Sequence, residues 1–266
     1  IAFHRIRVWG TVGYILPGLV LFVPLYLGQS AVLAMALAVV IAAIGVANAT
    51  ALPHPPRDQA RHLAKPKTPT LSALKVMLRP RLAMFCLALI AGNFAVASYY
   101  GFYPVHLKER VGLDEAWLSV TTLIAVGLEI FFMLGFGWLR RRIGLRGVVV
   151  LGASCLIARL LLLAVTDSAF VAIATQVFHA PMVLLIHVAP PVFLNEHAED
   201  DFRSSLQGLF AMVTAGVARM LGTFASGHLA TASLALMFYV GAAAGLVTVI
   251  LLLLAFRGER DPIANP

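Results

Sequence analysis

A single carboxylate, Glu129, lies near the middle of the long apolar segment LSVTTLIAVGLEIFFMLGFGWL, where hydrocarbon rather than water is expected. The other acidic residues all lie in or beside polar connecting segments. The next apolar segment carries Arg159 near its own centre. Ionisable groups at membrane depth are costly and usually face a partner, a cavity or a proton path. The two opposite charges therefore predict coupled transport, with a permanent ion pair that fixes helix packing as the alternative.

A carboxylate at this depth can take up or release a proton when a helix movement changes its distance from a guanidinium. If Arg159 moves away from Glu129, the isolated carboxylate is expected to take up a proton, because a lone buried charge is unfavourable. If the pair forms again, Glu129 is expected to release that proton. We therefore predict that Glu129 is the protonation site and Arg159 its charge partner.

Two histidines lie in the apolar segment that follows Arg159. His179 is about one turn from Thr175 and Gln176, and His187 is about 80 degrees further round the same helix. Because histidine carries protons near neutral pH, His179 is a candidate proton or substrate ligand, with a packing role as the alternative. No metal site is predicted, since the two histidines are about 12 Å apart along the helix axis and no third ligand converges in sequence.

Arg219 lies centrally in a later apolar segment, and small residues surround it on its helical face: Ala215, Gly216, Gly222, Thr223 and Ser226. Small neighbours leave room for a ligand, although they also permit close helix packing. Asn93, with Tyr100 seven residues later, can supply hydrogen bonds from its own segment. The predicted substrate-binding residues are therefore Asn93, His187 and Arg219. Two arginines near one cavity favour an anionic or strongly hydrogen-bonding substrate.

The elements that position these residues are membrane-spanning helices. Hydrophobic residues make up 61% of the chain, charged residues 12%, and the mean hydropathy is +0.91, outside the range of soluble domains. Each span needs about 20 largely apolar residues. We predict an all-α, polytopic membrane protein with eight transmembrane helices, near 11–28, 30–52, 82–106, 116–139, 147–166, 168–194, 206–229 and 233–256. A soluble helical bundle would need polar outer faces, which these segments lack.

The formal net charge of +8 follows the connections between spans. One set of alternate connections holds seven basic residues between Arg57 and Arg81 and four between Arg140 and Arg146, whereas the opposite side has only Lys108 and Arg110. Short cytoplasmic loops carry the excess of Lys and Arg. We therefore expect a protein of the inner membrane with both ends of the chain in the cytoplasm. We expect no nucleic acid partner.

Three further features concern the chain's organisation. Cys86 and Cys155 both fall inside predicted spans, so we expect them to be packing residues rather than to form a disulfide. The chain opens with IAFHRIRVWG, without Met, so we expect a truncated N-terminus. The proline-rich segment PHPPRDQARHLAKPKTP predicts a linker. The segment TLSALKVMLRPRL after it predicts either a short interfacial helix or a plain start to the next span.

The segment GWLRRRIGLR, residues 137–146, is similar to the loop signature of the major facilitator superfamily. Gly137, Leu139, Arg142, Gly144 and Arg146 fit this gating loop, with an ordinary basic turn as the alternative. Arg141 stands where many members have Asp, so the usual charge pairing at this gate does not carry over.

Four further segments, RVWGTVGYI, LEIFFM, QVFHAPMVLLIH and RSSLQGLFAMVTAGVARMLG, resemble the lactose-permease-like group, and within it the nucleoside and phenylpropionate proton symporters. Members have two six-helix halves joined by a basic cytoplasmic loop. The resemblance implies that 1–52 is the end of the N-terminal half, with two helices, and that 53–81 is the linker. It implies that 82–257 is the C-terminal half, that 258–266 is a tail, and that the first four helices are missing.

In that group a Glu, an Arg and a His form part of the coupling centre, and Glu129, Arg159 and His179 match them. Met182 stands where the lactose permease has an additional carboxylate, so its full proton relay does not carry over. The resemblance implies alternating-access proton symport of a sugar, nucleoside or aromatic acid. A proton-driven efflux antiporter and a non-transporting lipid-binding or assembly protein stay open as alternatives. The expected partners are a small-molecule substrate, protons and the lipid bilayer; we expect no cofactor, no enzymatic activity and a monomer at full length.

Overall fold

The structure is a computed structural model that describes residues 9–11, 13, 31–51, 69–113, 115–197, 203–258 and 263. Regular structure within these residues is helical. The helices are α1 (Ala31–Thr50), α2 (Pro69–Met77), α3 (Pro80–Glu109), α4 (Glu115–Val165), α5 (Ala169–His197), α6 (Arg203–Ala232) and α7 (Leu234–Ala255).

Five of the described helices, α3 to α7, are long and apolar enough to cross a membrane. Helix α4 has 51 residues, which would extend about 75 Å if straight, more than twice the hydrocarbon thickness. It changes direction at Gly144, whose φ of 70° and ψ of 169° are not helical and suit a residue without a Cβ. Helix α4 therefore consists of two spans joined at one glycine.

The described helices overlap seven of the eight predicted spans, and the remaining prediction, 11–28, lies almost wholly outside the described residues. Two adjacent predictions, 116–139 and 147–166, correspond to the two arms of α4. The all-α, polytopic membrane class is confirmed. The loop expected between those two spans is shorter than predicted, because Gly144 alone turns the chain.

Helix α2 is separate from the span that follows it. Its Ala73, Val76 and Met77 are buried against the protein, whereas Leu71 and Leu74 on the other side are exposed. Arg79, in extended conformation, and Pro80, at the start of α3, end one helix and begin the next. The structure therefore agrees with a distinct short helix rather than a plain start of the next span, and its position at the membrane interface stays a prediction.

Helix α5 is irregular along its length. It contains a 3₁₀ segment at Thr175–Phe178 and a π segment at Leu184–Val188. Prolines accompany both: Pro181 cannot donate to the carbonyl of Val177, and Pro190 cannot donate to that of Ile186, since proline has no N–H. Helix α6 contains a second π segment at Met212–Val217. π segments often occur at functional sites; the first of these two contains His187, and the second ends two residues before Arg219.

Close backbone contacts set the distance between the helices that carry the charged residues. A Cβ on Gly152 of α4 would lie 2.5 Å from the carbonyl oxygen of Pro181 and 2.7 Å from the Cβ of Leu185, both on α5. Arg159 is two helical turns beyond Gly152, and His179 is two residues before Pro181. The contact therefore places Arg159 and His179 side by side.

Candidate functional site

A cavity of about 450 Å³ lies between α3, α4, α5 and the short described segment around Thr11. Tyrosines, histidines and threonines line it together with one carboxylate and several apolar residues: Gly10, Thr11, Tyr99, Tyr100, Tyr103, Pro104, Leu118, Thr122, Ala125, Val126, Glu129, His179, Val183 and His187. Its size falls within the range of about 300–1,000 Å³ that small-molecule sites have. Of the predicted site residues, Glu129, His179 and His187 lie in its wall.

Glu129 is almost fully buried in this wall, with 8% of its surface exposed. The hydroxyl of Thr11 donates a hydrogen bond of 2.7 Å to its Oε1. Thr11 comes from the start of the chain, 118 residues before Glu129, so the contact crosses between distant parts of the sequence. Hydrogen bonds to a carboxylate stabilise its ionised form, so Thr11 favours the deprotonated Glu129.

His179 lies between Glu129 and Arg159. Its Nε2 is 3.7 Å from Oε2 of Glu129, and its Nδ1 is 3.1 Å from Nη1 of Arg159. In this conformation the imidazole lies between the two charges and links them, and a direct Glu129–Arg159 ion pair stays a prediction. A guanidinium only donates hydrogen bonds, so Nδ1 must accept and His179 must be neutral, with its proton on Nε2 toward Glu129.

Arg159 is fully buried, with 0% of its surface exposed. Besides His179, its Nη2 donates to the hydroxyl of Tyr99 at 2.6 Å and to Oε1 of Gln176 at 2.5 Å. Its Cζ also lies 3.6 Å from the centroid of the Tyr99 ring. Such contacts offset the cost of burying a charge, which is otherwise several kcal/mol. We call Glu129, His179, Arg159, Tyr99 and Gln176 the buried cluster.

A second polar group joins α3, α5 and α6. Nε of Arg219 donates to Oδ1 of Asn93 at 2.9 Å, and its Nη2 lies 3.5 Å from Nε2 of His187. Arg219 is partly buried, whereas Asn93 is 1% exposed. The structure thus brings together the three predicted substrate-binding residues. Of these three, only His187 lines the cavity. We call Asn93, Arg219 and His187 the partly buried cluster.

The predicted gating-loop residues Gly137, Arg142, Gly144 and Arg146 all lie within α4 rather than in an extended loop. Arg142 is exposed, and its guanidinium lies 5.8 Å from the Trp138 ring. The buried arginine at this end is Arg140, whose Nη1 lies 2.8 Å from Oε1 of Glu196. The Arg140–Glu196 pair joins the first arm of α4 to the end of α5.

Sequence reasoning did not identify Thr11, Tyr99 and Arg140 as participants. Thr11 lies in the segment RVWGTVGYI and Gln176 in QVFHAPMVLLIH, and both segments carried the family resemblance. Gln176 shares the polar face of His179, but that pattern does not predict its bond to Arg159. Tyr99 gave no signal, because an aromatic residue in an apolar segment is usually a packing residue.

Comparisons with known proteins agree with this architecture. The model of the MFS_1 like family matches residues 2–240. The chain is 23% identical over 247 residues to the nucleoside permease NupG of Escherichia coli (strain K12), a match that covers 85% of this chain and 56% of the relative. The NupG of Shigella flexneri matches to the same extent. The chain thus spans about half the length of the curated relatives it matches.

Solved structures show the same fold. The crystal structure of the nucleoside transporter NupG superimposes with a TM-score of 0.70 at 20% identity, over 97% of this chain and 68% of that one. A point mutant of the same transporter gives a TM-score of 0.73 at 21% identity, over 96% and 67%. At this identity the likeness establishes the fold.

Proposed function

This chain belongs to the MFS_1 like family, and on that premise we propose that it transports nucleosides by proton-coupled symport with alternating access. The observation that carries the proposal is a carboxylate in the cavity wall, Glu129, linked through the neutral His179 to the buried Arg159. The nucleoside permeases it resembles support the substrate class. The activity is transport across a membrane rather than catalysis.

Glu129 takes and releases the coupling proton in this mechanism. In the described conformation it accepts a hydrogen bond from Thr11 and faces Nε2 of His179 at 3.7 Å, and both neighbours favour the ionised carboxylate. Protonation removes the negative charge that both donors face, and it weakens both contacts. The Thr11 contact joins two distant parts of the chain, so its loss frees one side of the cavity to move.

Arg159 acts through His179. While Nδ1 accepts from Arg159, the imidazole cannot take a second proton there, so the guanidinium holds His179 neutral. If a helix movement lengthens the His179–Arg159 contact, Nδ1 becomes available for a proton. The irregular backbone of α5 around His179 and His187 supports such a movement, since its prolines leave carbonyls without helical donors.

The partly buried cluster binds the polar edge of the substrate in this proposal. Arg219 has one short hydrogen bond, to Asn93, and one long contact, to His187. A guanidinium with weakly held donors can exchange a protein partner for a carbonyl or hydroxyl of a ligand. Nucleosides carry both groups, so they fit the strongly hydrogen-bonding substrate expected from the sequence.

The proposed location is the inner membrane, with both ends of the chain cytoplasmic. The basic connections between predicted spans support this orientation. The Arg140–Glu196 pair then lies on the cytoplasmic side, where it holds the first arm of α4 against the end of α5. On the opposite side, Nε of Arg110 donates to Asp167 at 2.8 Å, joining the connection after α3 to the one after α4.

The test uses the protein expressed from its complete reading frame and reconstituted into liposomes that contain a pH-sensitive dye. Addition of uridine outside is expected to acidify the lumen for the wild type, because each nucleoside enters with a proton. Glu129→Gln is expected to abolish the acidification, since an amide cannot take up the proton. Glu109→Gln is the matched control, because Glu109 is exposed at the end of α3 and lies outside the cavity lining.

The outcomes separate the alternatives. Equal acidification by the wild type and Glu129→Gln would refute the role of Glu129. Alkalinisation of the lumen on addition of uridine would indicate proton exchange and favour an efflux antiporter. If nucleosides leave the luminal pH unchanged for a wild type whose correct insertion is shown by protease protection, nucleoside symport would be refuted. That result would favour a non-transporting protein.

A further inference from the structure

Three tyrosines of α3 line the cavity: Tyr99, Tyr100 and Tyr103. The Tyr99 ring lies 5.1 Å from each of the other two rings, centroid to centroid. Their exposure differs, since Tyr99 is 5% exposed, Tyr103 3% and Tyr100 45%. Tyr100 is therefore the tyrosine of this group whose ring a ligand in the cavity can cover.

The protein already uses the polar and aromatic groups of Tyr99 and Tyr103. The Tyr99 hydroxyl accepts from Arg159 and donates to Gln176, and the Arg159 guanidinium lies over its ring. The Tyr103 hydroxyl donates to the carbonyl of Ala172 at 3.2 Å. Within the part of the chain that the structure describes, the Tyr100 hydroxyl has no such hydrogen bond. Tyr100 thus lines the cavity without a bond that fixes it to a structural role.

Neighbours from three helices hold the Tyr100 ring in place without enclosing it. The Tyr99 ring is tilted by 59° against it, and the His179 ring meets it edge to face at 6.1 Å. The Arg219 guanidinium lies 5.8 Å from its centroid. A ring whose neighbours already restrict its rotation loses less freedom when a ligand covers it, which lowers the cost of binding.

We infer that Tyr100 is the surface on which the planar aromatic ring of the substrate stacks. The inference rests on the proposed function and narrows it, because it makes the flat heterocycle, rather than the sugar, the part that the cavity selects. Aromatic side chains stack on any nucleobase, because every base has a π face. Arg219, which flanks the ring, is close enough to meet polar groups at the edge of a stacked heterocycle.

The test compares uridine with 5,6-dihydrouridine in the protein expressed from its complete reading frame. Dihydrouridine keeps the ribose and the hydrogen-bonding edge of uracil but has a puckered, non-aromatic ring. Each nucleoside displaces radiolabelled uridine from purified protein. The wild type is expected to bind uridine about tenfold more tightly, the effect of one base–aromatic contact. Tyr100→Leu is expected to bind both equally, and Tyr100→Phe is expected to keep the preference because it keeps the ring.

Tyr239→Leu is the matched control, because Tyr239 is 46% exposed but lies on α7, outside the cavity lining. It is expected to keep the tenfold preference. The stacking inference would be overturned if the wild type bound both nucleosides equally, or if Tyr100→Leu kept the preference for uridine. Nucleoside binding itself would still stand in either case. Wild type that binds neither nucleoside would overturn the proposed function and the inference together. If Tyr100→Leu does not fold, the wild-type preference and the Tyr100→Phe result decide.

Discussion

Arg159 and Arg219 each meet a histidine of α5, but their surroundings differ. Arg159 is 0% exposed and has three hydrogen-bonding partners together with the face of Tyr99. Arg219 is partly buried and has one short hydrogen bond to Asn93 and a long contact to His187. The same pair of residue types thus forms one tightly bonded group and one loosely bonded group in a single helical bundle.

The difference follows from the cost of burying charge. A fully buried guanidinium that loses a partner leaves an uncompensated charge, so the buried cluster is stable only in a complete arrangement. A partly buried guanidinium can replace a protein partner by water or ligand at small cost. The buried cluster therefore suits a two-state proton-coupling role, and the partly buried cluster suits ligand exchange.

Replacement of Arg159 by Met is expected to have the largest effect. It leaves His179 Nδ1, the Tyr99 hydroxyl and Gln176 Oε1 without their donor. We expect the free energy of unfolding to fall by about 3 kcal/mol, the range for breaking a buried charge network. Uridine-driven proton uptake is expected to fall more than about 100-fold, since about 2.7 kcal/mol corresponds to that factor.

Chemical denaturation in detergent and the liposome pH assay measure the two effects. Arg141→Met is the control, since Arg141 is exposed at the Gly144 turn and lies outside the cavity lining. Normal proton coupling by Arg159→Met would show that the buried cluster is a packing device, and the contrast with Arg219 would then carry no functional meaning.

Replacement of Gly152 by Ala is expected to have the next largest effect. The new methyl group would lie 2.5 Å from the Pro181 carbonyl oxygen, so α4 and α5 must separate and carry Arg159 away from His179. Overpacking of this kind costs about 2 kcal/mol. We expect a lower unfolding midpoint and weaker proton coupling, with uridine affinity changed less than coupling.

The control is Gly227→Ala, because a Cβ at Gly227 meets no atom within 4 Å. It is expected to keep wild-type stability and coupling, measured by the same denaturation and pH assays. If Gly152→Ala left both unchanged, the close approach of α4 and α5 would not be what positions the buried cluster.

Replacement of Arg219 by Lys is expected to have the smallest effect and to act on binding alone. Lysine keeps the charge but cannot direct separate donors to Asn93 and to a ligand, as a guanidinium does. We expect KM for uridine to rise about tenfold, a loss of about 1.4 kcal/mol, with kcat and the number of protons per nucleoside unchanged.

Initial-rate uptake measurements with radiolabelled uridine and a paired pH recording separate KM from coupling. Arg257→Lys, an exposed arginine just after α7, is the control and is expected to behave as wild type. A loss of coupling in Arg219→Lys, with KM unaltered, would reverse the roles assigned to the two clusters.

Particular residues show how far the sequence predicted the site. Glu129, Arg159 and His179 were identified because charged or titratable groups are rare in apolar segments, and the structure brings all three together. Asn93, His187 and Arg219 were also identified, and they meet one another as well. The link between Glu129 and Arg159 through His179 was not predicted, since a sequence gives no distance between two helices.

At the arginine-rich end of the first arm of α4, the sequence indicated a functional segment around Gly144. It did not indicate which arginine forms an ion pair with α5. Arg140, Arg141 and Arg142 are adjacent, and each points in a different direction round the helix. Glu196 on α5 forms an ion pair with Arg140, which is the buried one of the three. Composition predicts an excess of basic residues here, but it cannot choose among three neighbours of the same type.

The amino-acid sequence was enough to predict the all-α membrane class, seven spans that coincide with described helices, and the polar residues within the apolar segments. These follow from hydropathy and helical periodicity, which are local properties. The tertiary structure decided the partners: Thr11 for Glu129, His179 between two charges, and Tyr100 as the open ring. The physical reason is that periodicity fixes the face of each helix, whereas the approach and rotation of helices depend on contacts such as Gly152 with Pro181.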